Sequence, residues 1–252
     1  MKKITLFFLV LLFLLSVNAV YAGIIVSPAR SEVHIANDSV YEGKYIIENG
    51  NDETITVSVT CEQWHNSPEN ENVKVEDWLS VPKKSLVLQP REKADINYKV
   101  NSKNYVGSLS AMVSFTYLAP KMTGINLMTS VPVYLTIKGT EKVDFEITEI
   151  SLSNPRMYKE EGIPAAFKVK NNGNLPVRLK GVLTIKKGKK VVLEKPIDEQ
   201  SPVYAGLDRI FVEKFQAPQK GKYALNISLN AFNISAEKSI QFRVNKYGEI
   251  IY

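Results

Sequence analysis

The chain has 252 residues, 44% of them hydrophobic, and a single cysteine. One cysteine excludes an internal disulfide framework, and the length suits two ordinary domains or one large β-domain. The formal net charge of +6 is spread along the chain, which argues against nucleic-acid binding because such proteins concentrate their basic residues on one face.

The first 22 residues have the layout of a secretory signal peptide. Lys2 and Lys3 precede an apolar run over residues 4–17, and Ala22 stands before Gly23. This run is shorter than the roughly 20 residues that span a membrane, and an uncleaved N-terminal anchor is the alternative. We therefore expect a mature chain that begins at Gly23 and lies outside the cytoplasm, in the periplasm or at the cell surface. The lack of disulfides favours a bacterial envelope.

From Gly23 onward, apolar and polar residues alternate with a period of two. Residues 54–63 place Ile55, Val57 and Val59 on one face, and residues 109–117 follow the same pattern. Glycine, proline and asparagine stand between the alternating runs, as in antiparallel sandwiches. The sequence predicts an all-β fold of two tandem immunoglobulin-like β-sandwich domains.

An internal repeat supports the division into two domains. Residues 45–51 end in Asn49-Gly50-Asn51, and residues 167–174 end in Asn172-Gly173-Asn174, about one sandwich domain further on. We interpret both as tight turns in which asparagine and glycine adopt positive φ. The predicted domains are residues 23–139 and residues 140–252.

Several segments of the first domain resemble PapD-like periplasmic chaperones: residues 26–33, the Asn49-Gly50-Asn51 turn, residues 77–92 and residues 131–138. In the pilus chaperones of that family, an arginine of the first strand and a lysine of the last strand anchor the client's C-terminal carboxylate. The client then adds a strand along that edge. The resemblance implies this anchoring role for Arg30. At the lysine position our alignment places Pro132, with Lys138 further on.

The order of signal peptide and two sandwich domains also resembles the paired-domain surface proteins associated with WxL proteins in Gram-positive bacteria. Those proteins bind peptidoglycan and a host or partner protein. The resemblance covers the whole chain and concerns its architecture. It implies an alternative function, that of a structural or adhesive surface module that binds peptidoglycan or another surface protein.

Residues 125–137 are the most informative segment for function. Their apolar side chains alternate on one face, and Pro132 on the other face lacks an N–H, which predicts a sheet edge or a bulge. An apolar edge strand is a template for strand addition. The alternative is an ordinary last strand whose apolar row is buried in its own core. The predicted client-binding residues are Arg30, Leu127, Thr129, Val131, Val133 and Leu135.

Four lysines stand at the tip of a predicted hairpin: Lys186, Lys187, Lys189 and Lys190. Such a tip suits contact with an anionic envelope polymer such as teichoic acid or lipopolysaccharide. The alternative is a solvated turn whose charges prevent edge-to-edge association.

Trp64 and Trp78 flank a polar loop, and two interpretations remain open for them. The pair stacks on sugar rings, or the two rings pack in the core.

Catalytic chemistry has little support in the sequence. The two histidines, His34 and His65, lack metal-ligand spacing, and no nucleophile elbow or phosphate-binding loop is present. We expect no catalytic residue, no metal and no cofactor. The predicted function is that of a secreted, non-enzymatic chaperone or assembly factor whose partner is a protein or peptide client.

Overall fold

The structure is a computed structural model that describes residues 23–120, 124–153, 162–199, 201–216 and 218–251. The predicted signal peptide lies outside these residues. The described residues form β-strands around two separate hydrophobic cores, one drawn from Ile24 to Ile137 and the other from Phe145 to Val244. The prediction of two tandem sandwiches is thereby confirmed. No helix in the described part of the chain is long and apolar enough to cross a bilayer.

The N-terminal sandwich packs one sheet in the order β1-β3-β7-β5 against another in the order β2-β9-β8-β4-β6. Two short 3-10 turns, Pro68–Asn70 and Val75–Asp77, follow β4. The strands are β1 (Ile24–Ser27), β2 (Ser31–Ile35), β3 (Val40–Asn49), β4 (Ile55–Gln63), β5 (Leu79–Ser80), β6 (Ser85–Leu88), β7 (Lys93–Asn101), β8 (Ser108–Leu118) and β9 (Asn126–Ile137).

The C-terminal sandwich packs a sheet in the order β10-β11-β14 against one in the order β13-β12-β15-β16-β17. Its strands are β10 (Phe145–Leu152), β11 (Ile163–Asn171), β12 (Lys180–Lys187), β13 (Lys190–Asp198), β14 (Asp208–Phe215), β15 (Gly221–Ala231), β16 (Ile234–Val244) and β17 (Ile250–Ile251).

The N-terminal segment over residues 24–35 divides between the two sheets of its sandwich. β1 pairs antiparallel with β3, and β2 pairs parallel with β9. Residues 28–30 make the crossing, so Arg30 lies directly before β2. The sequence analysis did not separate these two strands.

Alternation holds along β4, where Ile55, Val57 and Val59 are buried and the residues between them are exposed. In β8 the predicted polar face is different, because Ser110 and Ser114 are buried as well. The segment after β4 contacts β8 here, because the Trp64 N–H donates to the Ser110 carbonyl oxygen at 2.9 Å and the Ser110 N–H donates to Asn66 Oδ1 at 3.3 Å. The Ser114 hydroxyl is hydrogen-bonded to that of Ser130 on β9, 2.8 Å away.

The repeated turns depend on buried asparagines rather than on positive φ. Among the described residues with positive φ, neither Gly50 nor Gly173 appears, so that part of the prediction is wrong. The equivalent residues are Asn49 and Asn171, which end β3 and β11 and are fully buried. Each side-chain amide donates to main-chain carbonyl groups across its turn, and each side-chain oxygen accepts a main-chain N–H two residues on.

The connection between the sandwiches is held by Asn174. Its side chain donates to the Thr140 carbonyl oxygen at 2.9 Å and accepts the Lys142 N–H at 2.7 Å. Its own carbonyl oxygen accepts from the Ser108 hydroxyl of β8 at 2.8 Å. These bonds tie the segment between β9 and β10 to both sandwiches, and we propose that the domains divide within it, at residues 139/140.

Candidate functional site

β9 is covered along only half of one edge. β2 pairs with its C-terminal half, from Ser31 opposite Val133 to Ile35 opposite Ile137. β8 pairs with β9 on the other side along almost its whole length. Residues 126–132 therefore have no strand on their outer side among the residues that the structure describes. We call residues 126–132 the open edge.

Two hydrogen bonds show which backbone groups of β9 face outward. The Ile137 N–H donates to the Gly107 carbonyl oxygen on the β8 side, at 2.9 Å. The Lys138 N–H donates to the Ile35 carbonyl oxygen on the β2 side, also at 2.9 Å. Because backbone groups alternate along a strand, odd-numbered residues of β9 bond toward β8 and even-numbered residues bond toward the outer side.

The open edge consequently presents the N–H and C=O groups of Asn126, Met128 and Ser130 to a new partner. Pro132 has the same outward orientation and offers a carbonyl group alone. Its missing N–H costs no bond to β8, which explains how a proline fits within a long strand. The sheet edge that Pro132 predicts is therefore confined to residues 126–132, the N-terminal half of β9.

The apolar row of β9 divides at the same place. Val131, Val133 and Leu135 are at most 2% exposed and belong to the core of the N-terminal sandwich, so their side chains are not available to a client. This corrects the part of the prediction that assigned them to client contact. Leu127 is 37% exposed and Thr129 is half-buried. Exposure rises toward the β8–β9 hairpin, so these two side chains remain able to contact an added strand.

The open edge ends at a cleft of about 670 Å³ between the two sandwiches. Pro132 and Arg30 both lie in its wall. The cleft walls include Arg30, Trp64, Pro132, Tyr134, Arg178, Tyr204 and Arg209.

Three arginines give the cleft a positive character. Arg30 comes from the N-terminal sandwich, and Arg178 and Arg209 come from the C-terminal one. The Arg178 guanidinium lies 5.2 Å from the centre of the Tyr134 ring, within range of a cation–π contact. Arg209 donates to the Pro202 carbonyl oxygen at 3.2 Å. A planar guanidinium matches a carboxylate geometrically, so the cleft suits an anionic group.

Arg178 is a second arginine of the cleft, and the sequence pattern did not indicate it. The pilus chaperones that residues 26–33 and 131–138 resemble have a lysine in the last strand, whereas Lys138 of this chain is exposed beyond the end of β9. Arg178 supplies a second cation beside Arg30 from the other sandwich. No local signal marks Arg178 in the sequence, because only the packing of the two sandwiches brings it to Arg30.

A chain of aromatic contacts lines the cleft beside the arginines. The Trp64 indole N–H donates to the Tyr204 hydroxyl at 2.7 Å, and this hydroxyl is 3.2 Å from that of Tyr134. Burial raises the pKa of Tyr134. Trp64 is 45% exposed, whereas Trp78 is 1% exposed and lies in the core, so the structure does not bring the two tryptophans together as a sugar-stacking pair.

The same contacts predict a pH dependence of stability. The His65 ring contacts the Tyr204 ring at a tilt of 37°, with centroids 4.2 Å apart, and burial lowers the pKa of His65 below its usual 6.5. Stability that is present above pH 6.5 is then lost as the pH falls through the lowered pKa, because the folded state must take up a proton at a cost. We expect the melting temperature to fall more between pH 7 and pH 5 in the wild type than in His65→Phe; equal falls would contradict the assignment.

The four lysines predicted to contact an anionic polymer lie elsewhere. Lys186, Lys187, Lys189 and Lys190 are all exposed around the β12–β13 turn. Lys187 also lies 5.7 Å from the Tyr223 ring. The structure is compatible with both a polymer contact and a solvated turn, and the polymer contact stays a prediction. Among the described residues, no group of three or more His, Cys, Asp or Glu side chains is placed to hold a metal ion.

No family model and no curated protein matches the chain. Among solved structures it is similar to the class 5 fimbriae chaperone CfaA, with 13% identity and a TM-score of 0.47 over 87% of this chain and 97% of that one. It is similar to the YadV chaperone, with 12% identity and a TM-score of 0.47 over 86% and 98% of the two chains. It is also similar to the Pseudomonas aeruginosa CupB2 chaperone, with 10% identity and a TM-score of 0.46 over 90% and 96%.

Proposed function

We propose that this chain is an extracytoplasmic chaperone or assembly factor of the PapD-like type, which captures an extended client segment as an added strand. The open edge of β9 carries the proposal, because its outward N–H and C=O groups have no strand partner in the described structure and it runs directly into the arginine cleft. Unpaired edge groups of this kind are the usual template for strand addition.

A strand added at the open edge would continue the line of β2. β9 runs from the β8–β9 hairpin toward Pro132, and β2 already pairs with it in parallel. A client strand in the same parallel direction would have its C-terminal end at the cleft. Its terminal carboxylate would then meet Arg30 and Arg178, whose guanidinium groups bind carboxylates with matched geometry.

The exposed side chains beside the open edge suit an apolar client strand. Leu127 and Met128 are exposed on opposite faces of β9, and Leu118 of β8 is exposed near them. Main-chain bonds would supply affinity, and these side chains would favour clients with apolar residues at alternating positions. We propose a pilin-like subunit with an unpaired strand position as the client class, following the resemblance of residues 26–33 and 131–138 to pilus chaperones.

Met128→Pro tests strand addition at a single backbone group. It removes the outward N–H at the open edge, while the ladder to β8 does not use that group. The probe is a ten-residue peptide of alternating valine and threonine with N-terminal lysines and a free C-terminal carboxylate, here called the strand peptide. We expect Met128→Pro to weaken its binding by roughly twofold to tenfold relative to Met128→Ala, as for the loss of one hydrogen bond.

Hydrogen exchange provides the second readout. Binding of the strand peptide should slow exchange at the amides of Asn126, Met128 and Ser130 and leave the amides that bond to β8 unchanged. Equal affinities of Met128→Pro and Met128→Ala, or unchanged exchange at those three amides, would exclude strand addition at the open edge.

A further inference from the structure

One carboxylate oxygen is shared by two arginines of the cleft that come from different sandwiches. Oε1 of Glu32 lies 3.0 Å from Arg30 Nε and 2.9 Å from Arg178 Nη1. All three side chains remain partly exposed, so solvent and dissolved molecules reach the pair. The two guanidinium groups that suit a client carboxylate therefore already hold a carboxylate of the chain itself.

The position of Glu32 explains how its side chain reaches the two arginines. Glu32 is the second residue of β2 and stands opposite Tyr134 in the parallel ladder. Tyr134 contacts Arg178 from the cleft wall. A client strand along the open edge would end immediately before β2, so its terminal carboxylate and the Glu32 carboxylate would approach the same pair of arginines.

We propose that Glu32 is an internal ligand of the Arg30–Arg178 pair and competes with the terminal carboxylate of a client for it. This inference rests on the proposed function. Two carboxylates close to the same cations repel each other, so the bound client displaces Glu32 or weakens its contacts. Glu32 thereby sets how strongly the cleft selects ligands that carry a carboxylate.

The geometry also indicates a consequence for the two sandwiches. Glu32 joins Arg30 of the N-terminal sandwich to Arg178 of the C-terminal one. A client carboxylate that takes its place makes the same link from the client. Client binding at the cleft then replaces the ion pairs of Glu32 with Arg30 and Arg178 by ion pairs of the client carboxylate with the same two arginines.

Glu32→Gln tests the competition because it removes the negative charge and keeps the size of the side chain. The strand peptide with a free carboxylate is compared with the same peptide ending in an amide, at fixed ionic strength. We expect Glu32→Gln to bind the free-carboxylate peptide about fivefold more tightly than the wild type. A change of this size corresponds to the free energy that an exposed ion pair contributes. Its affinity for the amide peptide should stay unchanged.

Glu42→Gln is the matched control, because Glu42 pairs with Lys99 at 2.6 Å on the other sheet of the same sandwich. It removes the same charge from the chain and should leave both affinities at wild-type values. Unchanged or weaker binding of the free-carboxylate peptide by Glu32→Gln would overturn the competition, while amide-peptide binding that still depends on Met128 would preserve the proposed function. If the wild type bound neither peptide, the proposed function and this inference would both be rejected.

Discussion

Val131→Asp is expected to destabilise the N-terminal sandwich by more than about 4 kcal/mol, whereas Leu127→Asp is expected to leave it folded. Val131 is 2% exposed and stands opposite Val113 in the β8–β9 ladder, so an aspartate there would bury a charge without a partner. Leu127 is 37% exposed on the same face of the same strand, and an aspartate there reaches water. Urea unfolding of both variants measures the difference.

The stabilities of the two variants also show which side chains of β9 are able to contact a client. Leu127→Asp should have a free energy of unfolding within about 1 kcal/mol of the wild type. It should bind the strand peptide more weakly, because a charge replaces an apolar contact at the open edge. If Val131→Asp were as stable as the wild type, Val131 would not be a core residue. The original prediction of a client-facing side chain would then be restored.

Asn171→Ala is expected to destabilise the C-terminal sandwich by about 3 kcal/mol. The buried amide of Asn171 donates to the carbonyl oxygens of Leu175 at 2.7 Å and Val203 at 2.8 Å, and its side-chain oxygen accepts the Gly173 N–H at 2.9 Å. Alanine would remove all three hydrogen bonds at a buried turn, although the Val203 carbonyl oxygen would keep its bond to the Val177 N–H at 3.0 Å. Chemical denaturation followed by fluorescence or circular dichroism gives the free energy of unfolding.

Asn172→Ala is the matched control for that prediction. The Asn172 side chain bonds to Glu146 at the surface, at 3.1 Å, so its removal should cost less than about 1 kcal/mol. The sequence repeat taken alone emphasises the Asn172-Gly173 pair. A larger loss in Asn172→Ala than in Asn171→Ala would support that earlier interpretation over the buried amide network.

Gly173 remains important for a reason that the sequence did not show. A Cβ at this position would collide with the Lys142 carbonyl oxygen and would lie 2.9 Å from the Asp144 nitrogen. The glycine thus permits close approach of the segment between the sandwiches. The repeat was recognisable from sequence because its residues are unusual, but their roles depend on which chain segments pack against them.

Local patterns in the sequence were sufficient for the strands themselves. Alternation in residues 54–63 and 125–137 predicted β4 and β9 closely, because one face of each strand must be apolar to enter a core. The same alternation does not state which neighbour covers a strand. Nothing in the pattern of residues 26–33 indicated that β2 pairs in parallel with half of β9 and leaves the other half open.

The sequence by itself determined an all-β chain with two sandwiches and a proline that marks a sheet edge or a bulge within residues 125–137, because periodicity and the missing proline N–H are local properties. Only the tertiary structure decided which apolar residues of β9 are core and which are exposed. It alone placed Arg178 beside Arg30, with Glu32 between them. The physical reason is that a cleft between sandwiches joins residues far apart in the chain, and no local pattern encodes their meeting.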